Sequence, residues 1–304
     1  MRKYTQSILV NYRLAAWFLA IFIIATGCSN IPDRQPKKPY KIDEHLRIAL
    51  AVTDISVGDN RLAFGIIDRG IGPVQNELIN LEIFFLDGPN PEKVAGESST
   101  RFRSWPSTQG GVYTSNMNFP HPGSWGVVAT IVGKEGSYRR ASTRLNVTKH
   151  PTAPAIGQAA PLSLTKTATT GDELAKITSA INPHPPLYKI SAADAVKSGK
   201  PSVILFATPA FCKTATCGPQ LEILTSLQME LGNKVNFVHV EIYDNPDEIR
   251  GDITKGIISD EVRKWNLPSE PWTFLISSDG IISARFEGLA TSQEIKEALH
   301  PIMN

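Results

Sequence analysis

The sequence predicts a multidomain chain, with an N-terminal all-β sandwich followed by an α/β unit. Three observations point there. At 304 residues the chain exceeds the usual span of one domain, so two folded units and a targeting segment are expected. Between residues 45 and 149, short β-rich runs are separated by Gly, Asn, Asp and Pro. Beyond a Pro/Ala-rich stretch at 150–165, strands begin to alternate with helices, and the second unit is expected over 166–304.

The first 27 residues read as a signal segment. Arg2, Lys3 and Arg13 precede an apolar stretch from Leu14 to Ile24, which is shorter than a membrane span and ends in small residues. Ala25, Thr26, Gly27 and Cys28 resemble the lipobox of bacterial lipoproteins, with Ala25 where that family usually has Leu. The resemblance implies that Cys28 is lipidated and becomes the N-terminus, anchoring the chain to a membrane and facing it to the periplasm or exterior. A plain secretory signal or an uncleaved anchor is the alternative. Residues 28–44, rich in Pro, Lys and Asp, read as a tether. No other run of about 20 apolar residues follows, so the remainder is expected to be soluble.

In the first unit, the expected strands are 46–52, 61–67, 78–86, 112–119, 124–132 and 143–147. Alternation is clearest in the fifth, where Trp125, Val127, Ala129 and Ile131 share one face. The stretch VYTSNMNFPHPGSWGVVATI resembles the immunoglobulin-like modules of FixH and YtkA-type exported proteins, in which a Tyr strand leads into a Gly-x-Trp strand. Such modules are sometimes linked to copper handling, but no Met or His cluster is present here. His121, in a Pro-flanked turn, reads as a loop residue and Trp125 as core.

In the second unit, 190–200 reads as a short helix and PSVILFA at 201–207 as a strand apolar on both faces, as a buried parallel strand must be. Ile223, Leu224, Leu227 and Leu231 fall at helical spacing and predict a helix over 217–231. A strand is expected at 234–243, and a hairpin at 272–288 turning on Ser278, Asp279 and Gly280. Thr291 and Glu294 form a capping box that opens a final helix burying Ile295, Ala298, Leu299 and Ile302.

Two of the three cysteines remain once Cys28 is assigned to lipid, and an exported compartment permits a disulfide between them. Cys212 and Cys217 lie five positions apart in FATPAFCKTATCGP, between the buried strand and the helix. On a straight helix that spacing turns the chain by about 500°, leaving the sulfurs pointing apart, so at least one cysteine must precede the helix.

The placement of this segment, the element order, the phrase IGQAAP and the later LPSEPWTF together resemble thioredoxin-like proteins of the TlpA/ResA type. The resemblance implies a thioredoxin-like fold, a cis-proline at Pro271 facing the cysteines, and thiol–disulfide exchange with protein thiols and disulfides, without a cofactor. Family members have two residues between the cysteines; here there are four, Lys213, Thr214, Ala215 and Thr216. Two alignments follow. Matching FC makes Cys212 the nucleophile and Cys217 its resolving partner. Matching CGP puts Cys217 in the nucleophile's place, with Gln220 where the second cysteine would be. A loop position and the adjacent Lys213 favour a thiolate at Cys212. Glu270, next to Pro271, would place a carboxylate near the pair and disfavour the thiolate. The buried carboxylate that many thioredoxins use as a proton relay has no counterpart in PSVILFA.

Two other functions fit the same residues. Sco-type copper chaperones share the fold and combine two cysteines with a histidine, which here would be Cys212, Cys217 and His239. The pair could also be an inert clip in a non-catalytic binding protein. Other chemistry is not supported. A net charge of +2 and the lack of a basic, aromatic-interleaved stripe argue against nucleic acid. No Gly-rich phosphate loop or zinc motif occurs, and Asp244, Asp247 and Glu248 read as a solvated loop.

Overall fold

The computed structural model describes residues 40–106, 110–133 and 137–303. The signal segment, Cys28 and the tether up to residue 39 therefore lie outside the described residues. Lys41–Asn304 pack as one compact unit, mostly β-sheet. Among the described residues no helix is long and apolar enough to cross a membrane.

The N-terminal part contains β1 (Leu46–Leu50), β2 (Gly58–Asp68), β3 (Gly72–Val74), β4 (Leu78–Phe85), β5 (Val94–Ser99), β6 (Arg101–Ser104), β7 (Gly111–Phe119), β8 (Gly123–Val132) and β9 (Tyr138–Val147). Two antiparallel sheets, ordered β1-β2-β7-β6 (with β3 on β2) and β5-β4-β8-β9, enclose one core. Alternation decides which side chains enter it: Trp125, Val127, Ala129 and Ile131 of β8 are all buried there, against Phe64, Leu81 and Phe119. His121 serves through its backbone, its carbonyl accepting from Trp125 Nε1 at 3.0 Å. Strands β3, β5 and β6 are additional to the expected ones. Residues VAGESS of β5 are half polar and small, and only pairing with β4 makes them a strand.

The C-terminal part contains α1 (Gly171–Ile177), α2 (Ala192–Lys197), β10 (Ser202–Ala207), α3 (Cys217–Leu231), β11 (Asn236–Glu241), α4 (Pro246–Ile249), α5 (Asp260–Arg263), β12 (Trp272–Ile276), β13 (Ile282–Glu287) and α6 (Ser292–Leu299). Its sheet runs β11-β10-β12-β13, with β10 parallel to β11 and antiparallel to β12. Every residue of β10 is buried because both faces are covered. Val203, Leu205 and Ala207 pack with Leu221, Leu224 and Ile295, while Ile204 and Phe206 pack with Ala195, Trp265 and Trp272. The hairpin turns where expected, on Gly280 at φ 83°, a conformation that favours glycine.

The Pro/Ala-rich stretch 150–165 is integrated with the third sheet. Gly157 N–H donates to Ile282 O at 2.8 Å and Ala160 N–H to Gly280 O at 2.9 Å, and Ala153 and Ala160 are buried beside Trp265 and Trp272. Composition alone reads the segment as a connector; the open edge of β13 recruits it.

Candidate functional site

The two cysteines come together at the C-terminal end of β10. That strand stops at Ala207, and residues 208–216 form a loop before α3 starts at Cys217. Cys212 and Cys217 are disulfide-bonded with their Cα atoms 6.0 Å apart. One is therefore in the loop and the other is the first residue of the helix, as the five-residue spacing requires. Ala215 reverses the loop with φ 57°, in the left-handed region. Cys217 is 0% exposed, whereas Cys212 is half-buried.

The second predicted element lies against the first. The Glu270–Pro271 peptide is cis, immediately before β12. Thr214 Oγ1 lies 3.2 Å from Cys212 Sγ, 2.8 Å from Thr216 Oγ1 and 3.4 Å from Glu270 O, so one hydroxyl links the cysteine loop to the proline loop. Behind the proline, Gly288 N–H donates to Pro271 O at 2.9 Å. Burial raises the Glu270 carboxyl above its ordinary value, opposed by the Lys213 ammonium and the Lys213 backbone N–H. Lys213 and Glu270 thus sit together beside Cys212, and with Thr214, Tyr243, Leu267 and Pro268 they line a groove of about 390 Å³. Nothing in the spacing of Thr214 from Cys212 signals a contact with residue 270.

A buried carboxylate does occur, on the strand beside β10 rather than on β10 itself. Glu241, which pairs with Ala207, accepts from Ser179 N–H at 2.8 Å, Ser179 Oγ at 2.7 Å and Ile242 N–H at 3.0 Å. Ser179 Oγ in turn accepts from Ala210 N–H of the cysteine loop at 3.2 Å. Burial raises the Glu241 carboxyl despite these donors. Ser179 lies 62 residues away in sequence, which hides the cluster from any local motif.

His239 is placed differently from a ligand facing the cysteines. Nε2 points at Ala207 O at 3.1 Å, an acceptor only, so Nε2 carries the proton and Nδ1 accepts from Tyr188 Oη at 2.8 Å. Both nitrogens are engaged inside the core. Among the described residues, no group of three or more His, Cys, Asp and Glu side chains is gathered as a metal site requires.

No protein-family model and no curated protein matches this chain. Among solved structures, it is similar to a thioredoxin-family thiol:disulfide interchange protein from Chlorobium tepidum TLS, at 13% identity and a TM-score of 0.31, over 48% of this chain and 100% of the other. A likeness of that degree carries no weight on function.

Proposed function

We propose that the chain is an exported thioredoxin-like thiol–disulfide oxidoreductase that acts through Cys212 and Cys217 on protein thiols and disulfides and is held at the membrane by a lipidated Cys28. The observation that carries this reading is the asymmetry of the disulfide: one cysteine half-buried in the loop, the other sealed in the core, beside the loop of a cis-proline. With Cys217 fully buried, an incoming thiolate can approach the pair only at Cys212. Attack on Cys212 expels Cys217 as a thiolate, and the mixed disulfide is then resolved either by Cys217 or by a second thiol of the partner. That assigns attack to Cys212 and resolution to Cys217, the first of the two alignments. The immunoglobulin-like module at the N-terminal side is then the part that stands between the anchor and the redox site.

Stability is a weak reason for such a bond, since a loop this short removes little chain entropy from the unfolded state. The native protein carrying Cys28→Ser should therefore show no free thiol before dithiothreitol and two after it, and should exchange with glutathione while still folded. A bond that opens only after unfolding would return the pair to a structural role.

A further inference from the structure

Gln220 is 0% exposed and lies three residues after Cys217, on the same face of α3. Its orientation is determined: Oε1 accepts from Ala290 N–H at 2.8 Å, and a backbone N–H can face only the amide oxygen. The Nε2 amine is left buried with no hydrogen-bond partner. A buried donor without an acceptor costs free energy, so its persistence needs a reason. Side chains on a helix lean toward its N-terminus, which carries Gln220 back over the turn that begins with Cys217. The same turn lacks a side-chain cap from Thr216, and Cys217 stands at its positive end.

We infer that Gln220 is the hydrogen-bond donor that receives the Cys217 sulfur when the disulfide opens. The inference rests on the redox reading of the cysteine pair. In the disulfide, Cys217 sulfur is neutral and a poor acceptor. When a thiolate of a dithiol attacks Cys212 Sγ, the Cys212–Cys217 bond breaks and its electron pair leaves on Cys217. A mixed disulfide joins Cys212 to the dithiol. The dithiol's second thiolate then attacks its own sulfur in that bond, forming a cyclic disulfide and releasing Cys212 as a thiolate. Two electrons pass to the protein, and the two protons lost by the dithiol remain available to the cysteines. Only the product side contains a buried anion, so a fixed donor there stabilises the reduced state and makes Cys217 a better leaving group.

The test uses the full chain carrying Cys28→Ser, equilibrated with dithiothreitol at pH 8. Gln220→Met removes the donor. Gln220→Glu keeps an oxygen for Ala290 N–H, protecting the fold, but replaces the amine with an acceptor. Both should lower the equilibrium constant for reduction by at least about fivefold. In a Cys212→Ser background, both should also move the pH profile of the Cys217 thiolate absorbance at about 240 nm to higher pH. A wild-type disulfide that dithiothreitol leaves intact in the folded protein overturns the redox reading and this role with it. A wild-type bond that is reduced normally, with either folded variant matching it in equilibrium and pH profile, overturns the role of Gln220 alone.

Discussion

His239 shows how far a single side chain departs from its free chemistry once it is enclosed. Burial lowers its pKa from 6.5 to about 4, outweighing the hydrogen bond to Ala207 O. A folded value below the unfolded one means that, on acidification, the unfolded chain takes up the proton first. The resulting stability is complete above pH 6.5 and is lost as pH falls toward 4, with an expected total of about 3 kcal/mol. The raised Glu241 works in the opposite sense, gaining stability as it is protonated. Denaturant unfolding at pH 7 and pH 4.5 should show a smaller acid loss in His239→Gln than in wild type; equal slopes would assign the loss elsewhere. At this scale the cysteines and Pro271 are legible because each sits in a short, directional motif. Glu241, Ser179 and Thr214 are not, since each acquires its role from a partner supplied by another segment.

Secondary-structure elements are legible where their ends carry chemistry. α3 occupies 217–231 as the apolar spacing predicts, and α6 opens on the capping box read from Thr291 and Glu294. Thr291 Oγ1 accepts from Glu294 N–H at 3.3 Å, and Glu294 Oε2 accepts from Thr291 N–H at 3.0 Å. Thr291→Ala should cost about 1 kcal/mol, measured by equilibrium unfolding, with most of it recovered in Thr291→Ser. A cost near zero in Thr291→Ala would show that tertiary contacts alone hold the helix start. The short strands are the reverse case. β5 and β6 have no apolar alternation of their own, and their strand character comes from the ladders of β4 and β7.

At the scale of the whole molecule, the first two sheets and the third are joined through buried charge. Glu287, at the end of β13, accepts from Thr53 N–H at 2.8 Å, Asp54 N–H at 2.9 Å and Ser269 Oγ at 2.5 Å, the last being two residues before Pro271. Arg285 donates to Asp54 Oδ2 at 2.9 Å, and Arg61 pairs with Glu294 at the same distance. Asp54 is only 1% exposed at its side chain, so removing its cation strands a charge in the interior. Arg285→Ala should therefore destabilise the protein by roughly 3 kcal/mol or more in chemical denaturation, far above a surface pair. A loss below about 1 kcal/mol would mean that the backbone donors Thr152 and Ala153 suffice for Asp54. Gly288 belongs to the same junction: φ is 72°, and a Cβ there would come within 3.1 Å of Ala51 O. The pairing of Glu287 with Thr53 and of Arg285 with Asp54 is invisible in the sequence, because these partners are more than 200 residues apart.

What the sequence determined by itself are the local instructions: apolar periodicity, capping residues, turn glycines, and a cysteine spacing that forces a loop ahead of the helix. These act between residues a few positions apart, so they can be read in order along the chain. Tertiary structure decided the rest. It chose which cysteine is sealed in the core, which carboxylate is buried beside the cysteine loop, and how a proline-rich stretch becomes part of a sheet edge. Burial and long-range hydrogen bonds exist only after distant segments pack, and no local pattern encodes their partners.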